Sequence, residues 1–321
     1  MIRVDLVTGF LGSGKTTFLR HYARYLTNLG EKVCILENDY GAINVDRLLL
    51  QDLEGDRCSV EMIVGGDGPE AHRRRLKTKL IAMVMLGYDR VVVEPSGVYD
   101  VDEFFDVLHD EPLDRWYEIG NVIAIMDLHT MEGSLSRAAR YFFMSQTAQA
   151  GILVLSHVQE VPASERRDVA PFINGIMQEF GCDRRYENGD ILAKDWGQLT
   201  VEDYERILCC GHRLSDHIKL PLEKEHGFSS LCFMNMPISV AQMEKKAVSL
   251  LQDRSVGDIM RIKGFHFEDG KWHELNASRS GVTVKECQTG QEVWIVIGEG
   301  LDQEVIQMRM KDPDPPKPGM E

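Results

Sequence analysis

The sequence predicts an α/β protein in which a mostly parallel sheet is covered by helices on both faces and is followed by a smaller α+β domain. Three observations predict this fold. Short apolar runs alternate with helical patterns from Arg3 to about Ser156, as is typical of a parallel sheet buried on both faces. A glycine-rich motif follows the first run. After about residue 215, strand patterns become denser, which favours an α+β arrangement.

Five apolar runs predict the buried strands of the first domain, residues 1–215. Apolar residues at helical spacing predict two helices between them, over Thr16 to Leu29 and Ala71 to Leu86. Gly30 marks the end of the first helix. The predicted strands are Val4 to Val7, Val33 to Leu36, Val91 to Val93, Val122 to Met126 and Ile152 to Leu155.

A second domain is predicted over residues 226–310, after a polar linker at 216–225. The proline-rich stretch 311–321 is predicted to be a disordered tail because it cannot form helix or sheet. Within the second domain we predict strands at Ser229 to Met236, Ile259 to Phe267, near Trp272, near Val282 and at Val293 to Ile297, with a helix from Val240 to Gln252.

Composition excludes several classes of function. The 36 basic and 51 acidic side chains give a net charge of −15, and a negative field repels phosphate, so we expect no general binding to nucleic acid or to membranes. No run approaches the roughly 18 apolar residues of a membrane span. Seven scattered cysteines favour reduced thiols. We therefore expect a cytoplasmic protein that holds any phosphate locally.

The strongest functional signal is the segment Gly9-Phe10-Leu11-Gly12-Ser13-Gly14-Lys15-Thr16, which matches the phosphate-loop (P-loop) pattern G-x-x-x-x-G-K-[ST] between a strand and a helix. The glycines let backbone N–H groups surround a phosphate at the start of the helix. Lys15 is predicted to neutralise the β- and γ-phosphates, and Thr16 to ligate Mg²⁺. The sequence thus predicts a nucleoside-triphosphate site.

Acidic residues after two other strands complete this predicted site. Glu94-Pro95-Ser96-Gly97 places Glu94 as the Walker B acid near the metal, and the Gly97 N–H as a contact to the γ-phosphate. Glu37 to Asp46 follows the second strand, and its acids, Glu37 and Asp39 among them, can reach Mg²⁺ or polarise water. The alternative for this segment is a polar loop with a turn at Tyr40-Gly41.

Together these segments resemble the CobW/HypB/UreG family of P-loop GTPases, specifically its CobW branch. Gly9 to Thr17 resembles the branch's G-F-L-G-[AS]-G-K-T-T, Glu37 to Asp46 its E-N-E-F-G-x-x-x-x-D, and Glu94 to Gly97 its E-[TC]-[TS]-G. In the second domain, Arg261 to Phe265 resembles R-x-K-G-[FI], and Ile297 to Asp302 resembles I-G-x-x-L-[DN]. The resemblance covers nearly the whole chain.

This resemblance implies GTP binding with slow Mg²⁺-dependent hydrolysis. It also implies homodimerisation or partner docking controlled by nucleotide, and delivery of a metal or metallocofactor to a client protein. By the same resemblance, Glu37 and Asp39 belong to the first switch segment, and Glu94 and Gly97 to the second. Lys15, Glu37, Asp39 and Glu94 serve hydrolysis, and Thr16, Glu37 and Glu94 hold Mg²⁺. The phosphates contact Gly9, Gly12, Ser13, Gly14, Lys15, Thr16, Thr17 and Gly97.

The chain departs from the family where the CobW branch has a G-C-x-C-C metal motif. Aligning Glu61 to Gly65 with the family's E-L-x-N-G puts Gly66 to Pro69 at the cysteine positions, and one carboxylate between glycines is not a transition-metal site. Cys209-Cys210-Gly211-His212, with His217 and His226 nearby, is a weak alternative because adjacent cysteines point in different directions. The expected cargo is then a preformed cofactor such as a corrinoid, or there is none.

The second departure concerns the base. Family members have N-K-x-D after a buried strand, and this chain has Ser156-His157-Val158-Gln159, which we predict to contact the base through Ser156, His157 and Gln159. The guanine-selecting carboxylate has become the Gln159 amide, which both donates and accepts hydrogen bonds. Loss of a selective polar pair relaxes or redirects specificity. GTP is the predicted nucleotide, with ATP as the alternative.

Two other classes of function fit the same P-loop. A small-molecule kinase needs an arginine lid, for which Arg73-Arg74-Arg75 is the candidate, although a solvated helix end is the simpler interpretation of those residues. A nucleotide-binding regulator with weak hydrolysis is favoured by the altered 156–159 segment, but the intact P-loop disfavours it. The leading prediction is a slow GTPase acting as a switch or assembly factor for a client metalloprotein or corrinoid protein.

Overall fold

The computed structural model describes residues 1–39, 50–64, 69–131, 135–162, 165–219, 228–279 and 281–311. The chain forms two compact units, Met1–Pro221 and Leu222–Glu321. Residues 220–225 of the expected linker and residues 312–321 of the expected tail lie outside the described residues.

A parallel sheet forms the centre of the first unit. Its strands are β1 (Ile2–Thr8), β2 (Val33–Asp39), β3 (Cys58–Val64), β4 (Arg90–Pro95), β5 (Tyr117–Asp127), β6 (Ile152–Ser156) and β7 (Ile191–Leu192). They are arranged in the order β3-β2-β4-β1-β5-β6-β7, and neighbouring strands are parallel. Every residue of β4 and β6 is buried, so both faces of the sheet are covered.

Helices pack on this sheet through apolar faces. Phe18, Leu19, Tyr22 and Leu26 of the first helix are fully buried in one core with strand residues such as Ile35, as the spacing of three and four residues requires. The helices of this unit are α1 (Lys15–Asn28), α2 (Pro69–Val84), α3 (Val101–His109), α4 (Leu113–Trp116), α5 (Arg137–Ala148), α6 (Val169–Glu179) and α7 (Val201–Leu208).

The α/β prediction is confirmed, with two strands that the sequence did not reveal. The strand β3 lies at the edge of the sheet, where one neighbour suffices and polar Ser59 and Glu61 interrupt the apolar run. The strand β7 has only two residues. The helix predicted from Ala71 to Leu86 begins instead at Pro69 and ends at Val84. The earlier start is favourable because proline suits the first helical turn.

The second unit has an antiparallel five-stranded sheet with helices, as predicted for an α+β domain. Its strands β8 (Phe228–Met234), β9 (Asp258–Glu268), β10 (Lys271–Ser278), β11 (Gly281–Cys287) and β12 (Val293–Glu299) lie in the order β11-β10-β9-β12-β8. Helix α8 (Val240–Gln252) has the predicted bounds, and α9 (Gln303–Lys311) follows the last strand. Met243, Ala247 and Leu250 of α8 lie in the core with Ile262 and Leu275 of the sheet.

A buried ionic network joins β1, α1, β4 and β5. The Asp5 carboxylate accepts hydrogen bonds from Tyr22 Oη at 2.6 Å, Arg90 Nη1 at 2.6 Å and the Asn121 N–H at 2.7 Å. Arg90 also donates to Glu31 at 2.6 Å. Burial and the nearby Asp5 charge raise the pKa of Tyr22 well above its usual value. Since Asp5 is fully buried, these partners replace the water it has lost.

All seven cysteines lie in the described ranges and are free thiols, as the sequence predicts. Among the helices of the described residues, none is long and apolar enough to cross a membrane.

Candidate functional site

The loop between β1 and α1 has the backbone that a phosphate requires. Gly9, Gly12 and Gly14 have φ angles of 148°, 79° and 93°, a region that favours glycine. A Cβ atom at Gly9 would lie 2.3 Å from the carbonyl oxygen of Ile125, so no other residue fits there. Helix α1 begins directly after the loop, and its first N–H groups lack intrahelical acceptors. These groups can bind an anion.

Lys15 lies inside this loop. Its side chain is buried, and Nζ donates a hydrogen bond of 2.8 Å to the carbonyl oxygen of Gly9. A buried ammonium is costly without partners, and the loop supplies one of them. The lysine is therefore held inside the loop, where the sequence predicts a triphosphate.

Thr16, Glu37 and Glu94 lie near one another at the carboxyl ends of strands β2 and β4. The Thr16 hydroxyl donates to Glu94 Oε1 at 2.8 Å, although 78 residues separate the two in sequence. Glu37 and Glu94 are register partners on β2 and β4, and both are at least 95% buried. Neighbouring buried carboxylates repel each other and favour a bound cation. One hydroxyl and two carboxylates are oxygen ligands suited to Mg²⁺.

Gly97 lies against the P-loop. A Cβ atom added to Gly97 would be 2.8 Å from both Cα and N of Leu11, and the Gly97 carbonyl accepts a hydrogen bond from Gln146 Nε2 at 2.8 Å. The segment after β4 is thus fixed on the loop, at the place where a γ-phosphate sensor is predicted.

Replacing Gly97 with alanine is expected to lower the free energy of unfolding by about 1–3 kcal/mol, because the added methyl group overlaps backbone atoms that cannot move aside. The measurement is urea unfolding. Gly175→Ala in α6 is the matched control, since a Cβ there meets nothing within 4 Å and alanine favours helix by roughly 0.5–1 kcal/mol. Equal effects of the two substitutions would contradict the close approach of Gly97 to the loop.

The predicted base-contact segment lies beside the same loop. Ser156 is buried, and its Cβ is 3.7 Å from the position that a Cβ on Gly14 would occupy. His157 has a φ of 55° and begins a turn in which the Glu160 N–H donates to its carbonyl oxygen at 2.9 Å. The side chain of Gln159 is exposed. The structure therefore brings Ser156 against the P-loop and leaves the Gln159 side chain exposed.

Trp196 also lies beside the P-loop, and the sequence did not predict it. Its ring lies 3.0 Å from the position that a Cβ on Gly14 would occupy, and it packs edge-on against Phe18 at 5.5 Å between centroids. Its Nε1 donates to the Leu155 carbonyl at 3.0 Å. The only signal in the sequence is an aromatic residue in a polar stretch, which is too weak to place it.

Other predicted residues are either exposed or outside the described residues. Thr17 is exposed on the first turn of α1. Asp39 ends β2, but its side chain lies outside the described residues, and so do residues 40–46 of the first switch and residues 65–68 at the altered cysteine motif. Their roles stay predictions.

The cysteine and histidine cluster suggested near residue 210 does not form among the described residues. Cys209 is exposed, whereas Cys210 Sγ donates to Asn121 Oδ1 at 3.6 Å. His217 Nε2 lies 3.9 Å from Asp102 Oδ2, and His226 lies outside the described residues. The adjacent cysteines point to different surroundings, as the sequence led us to expect.

The basic start of α2 has partners within the chain. Arg73 Nη2 and Lys77 Nζ lie 3.2 and 3.4 Å from Asp110 Oδ2, and Lys79 Nζ lies 2.6 Å from Glu61. These ion pairs are partly exposed. They favour a solvated helix end over an arginine lid.

Comparison with known proteins gives one family and several relatives. A sequence model described as CobW/HypB/UreG, nucleotide-binding domain, matches residues 3–178. The zinc chaperone YjiA of Escherichia coli (strain K12) is 24% identical over 287 residues, which cover 85% of this chain and 84% of that protein. The zinc chaperone YeiR of the same organism is 29% identical over 168 residues, 52% of this chain and 50% of that protein. The crystal structure of Zn(II)-bound YjiA GTPase from E. coli aligns over 96% of this chain and 97% of that chain, with 20% identity and a TM-score of 0.38.

Proposed function

The chain belongs to the CobW/HypB/UreG family, and we propose that it is a Mg²⁺-dependent GTP hydrolase that acts as a switch in supplying a metal or metallocofactor to a client protein. The observation that carries this proposal is the 2.8 Å hydrogen bond between Thr16 and Glu94, beside the buried Lys15. A hydroxyl and a carboxylate in contact at the edge of a P-loop are the metal-holding pair that phosphoryl transfer requires.

Each residue of the site has a role in this proposal. Bound Mg²⁺ supplies positive charge to the β- and γ-phosphate oxygens, and the oxygens of Thr16, Glu37 and Glu94 would hold it. When nucleotide binds, Lys15 Nζ donates hydrogen bonds to phosphate oxygens in place of the Gly9 carbonyl oxygen. The N–H of Gly97 meets the γ-phosphate, and Asp39 is assigned to the first switch from the sequence alone. Catalysis then consists of positioning and charge stabilisation.

The nucleotide is proposed to be GTP on the basis of family membership, and Gln159 is the residue that sets the strength of this preference. Replacing Gln159 with aspartate is expected to increase the preference for GTP over ATP by about tenfold, or 1.4 kcal/mol. A carboxylate accepts the two N–H donors of guanine through charge-assisted hydrogen bonds, which an amide cannot match. The measurement is calorimetric titration with each nucleotide in the presence of Mg²⁺.

Gln178→Asp is the control for this substitution, because it changes the charge equally at an exposed position of α6. An unchanged ratio of GTP to ATP affinities in Gln159→Asp would mean that the 156–159 segment does not contact the base.

We propose that the chain belongs to the CobW branch of the family. The basis is the resemblance of Arg261 to Phe265 and of Ile297 to Asp302, both in the second unit, to motifs of that branch. The cargo is proposed to be a transition metal such as Zn²⁺, because two relatives are zinc chaperones. A preformed cofactor such as a corrinoid is the alternative that the missing cysteines at 66–69 suggest. Nucleotide-controlled homodimerisation is a further prediction from the resemblance.

The experiment that tests this function is single-turnover hydrolysis of GTP by the full chain. We expect release of phosphate with water as the sole acceptor, and loss of that release when a chelator removes Mg²⁺. Hydrolysis that requires an added small-molecule acceptor would instead show a kinase. Binding without hydrolysis would show a nucleotide-dependent regulator.

A further inference from the structure

Two histidines face one buried carboxylate at the ends of β5 and β6. Nδ1 of His129 and Nδ1 of His157 lie 3.0 and 3.1 Å from the same atom, Oδ1 of Asp127. One ligand atom from each of the three residues lies within 4.8 Å of the others. Among the described residues, this is the one group of three or more His, Cys, Asp or Glu side chains close enough to hold a metal ion.

The fold holds these residues together. Asp127 pairs in register with Ser156 across the parallel strands β5 and β6, so the residue after Ser156 lies next to the carboxylate. His157 has a φ of 55°, an uncommon conformation for a residue other than glycine but one in which histidine is enriched. The His129 N–H also donates to Asp127 Oδ1, at 2.9 Å. Backbone geometry therefore positions both rings.

The donor set is that of a borderline transition metal. Two imidazole nitrogens and one carboxylate oxygen suit Zn²⁺, and leave a fourth position open to solvent. Ligands at about 2.0–2.1 Å from a tetrahedral ion are roughly 3.3 Å apart, so the observed distances of 3.0 and 3.1 Å need to widen by only a few tenths of an ångström. His129 Nε2 lies 3.7 Å from Glu160 Oε2, so a second carboxylate is near the group.

The group is partly exposed to solvent. The side chains of Asp127, His129 and His157 are 9%, 18% and 36% exposed, which leaves the group accessible to an ion.

We propose that Asp127, His129 and His157 form a binding site for a divalent transition-metal cation such as Zn²⁺. The site lies outside the altered cysteine motif at 66–69 and outside the Thr16 and Glu94 pair, and it requires no nucleotide. It gives a chain without the family's three cysteines a set of nitrogen and oxygen ligands for the same class of metal.

The test is titration of the nucleotide-free full chain with Zn²⁺ in competition with a chromogenic chelator, in a Cys209→Ser background that removes the exposed thiol. We expect one bound equivalent, and an affinity at least tenfold lower in His129→Gln and in His157→Asn, since asparagine tolerates the positive φ. His109→Gln, at an exposed position of α3, is the matched control and should bind as the parent does. Urea unfolding of each variant confirms that it is folded, and Asp127→Asn provides a third substitution that conserves shape.

Cobalt absorption gives an independent readout. Co²⁺ bound to this group should show d–d bands without the intense charge-transfer band of a thiolate, and the d–d bands should vanish in His129→Gln. Equal Zn²⁺ affinity in the parent and in all three ligand variants would overturn the proposal, as would absence of binding by the parent. Because no nucleotide is present, either of those outcomes leaves the GTPase proposal to its own test.

Discussion

Lys15→Ala is expected to lower the rate of single-turnover GTP hydrolysis by about 10²–10³-fold, the usual effect of removing one group that stabilises charge in a transition state. Lys15 is buried and donates to the Gly9 carbonyl at 2.8 Å, so its ammonium already lies within the loop that we propose to bind the triphosphate. Alanine removes that charge and leaves the glycine backbone intact. The measurement is phosphate release from a stoichiometric complex of protein, GTP and Mg²⁺.

Lys245→Ala is the control for lost charge, since Lys245 is exposed on α8 in the other unit. A Lys15→Ala variant that is folded and hydrolyses GTP within threefold of the parent would show that catalysis occurs elsewhere. Residual binding without hydrolysis would agree with the proposed role, because the loop N–H groups remain.

Asp5→Ala is expected to lower the free energy of unfolding by about 3–5 kcal/mol, the range measured when one partner of a buried ion pair is removed. The substitution leaves the Arg90 side chain, 3% exposed, with one carboxylate partner fewer, and it removes the acceptor of Tyr22 and of the Asn121 N–H. Urea unfolding at neutral pH measures the effect as a lower midpoint with a similar slope.

Asp52→Ala is the matched control for an exposed ion pair. Asp52 lies 2.6 Å from both Arg20 and Arg24, but its side chain is 43% exposed, and such pairs contribute about 0–1 kcal/mol. Similar losses in Asp5→Ala and Asp52→Ala would contradict the role that we assign to burial.

The sheet of the first unit could be predicted because its central strands are buried on both faces and read as continuous apolar runs. The strand β3 could not, since an edge strand carries polar residues such as Glu61, and β7 is too short to give a pattern. The bounds of α8 agree with the prediction, and the structure shows a capping box of Ser239 and Gln242 at its start. Residues 40–49 lie outside the described residues, so the first switch remains a sequence prediction.

Some residues of the candidate site could likewise be predicted from the sequence, and others could not. Motifs predicted that Thr16 and Glu94 serve one site, and the structure shows the two side chains in contact. Trp196 and the Asp127 and His129 pair could not be assigned, because none of these residues lies in a recognisable motif. The parallel register of β5 with β6 brings Asp127 next to His157, and the loop after β7 brings Trp196 next to Gly14. Spacing along the chain reveals neither contact. His157 was singled out as a base contact, and the structure adds its position against the Asp127 carboxylate.

The most direct test of the central claim is calorimetric titration of the nucleotide-free chain with GTP and with ATP, each with Mg²⁺ and with a chelator. We expect Mg²⁺-dependent binding of GTP that is at least tenfold, or about 1.4 kcal/mol, tighter than that of ATP. Equal affinities or a preference for ATP would contradict the assignment as a GTPase and would show that the segment around Gln159 recognises a different base. Absence of binding by either nucleotide would contradict the P-loop function itself.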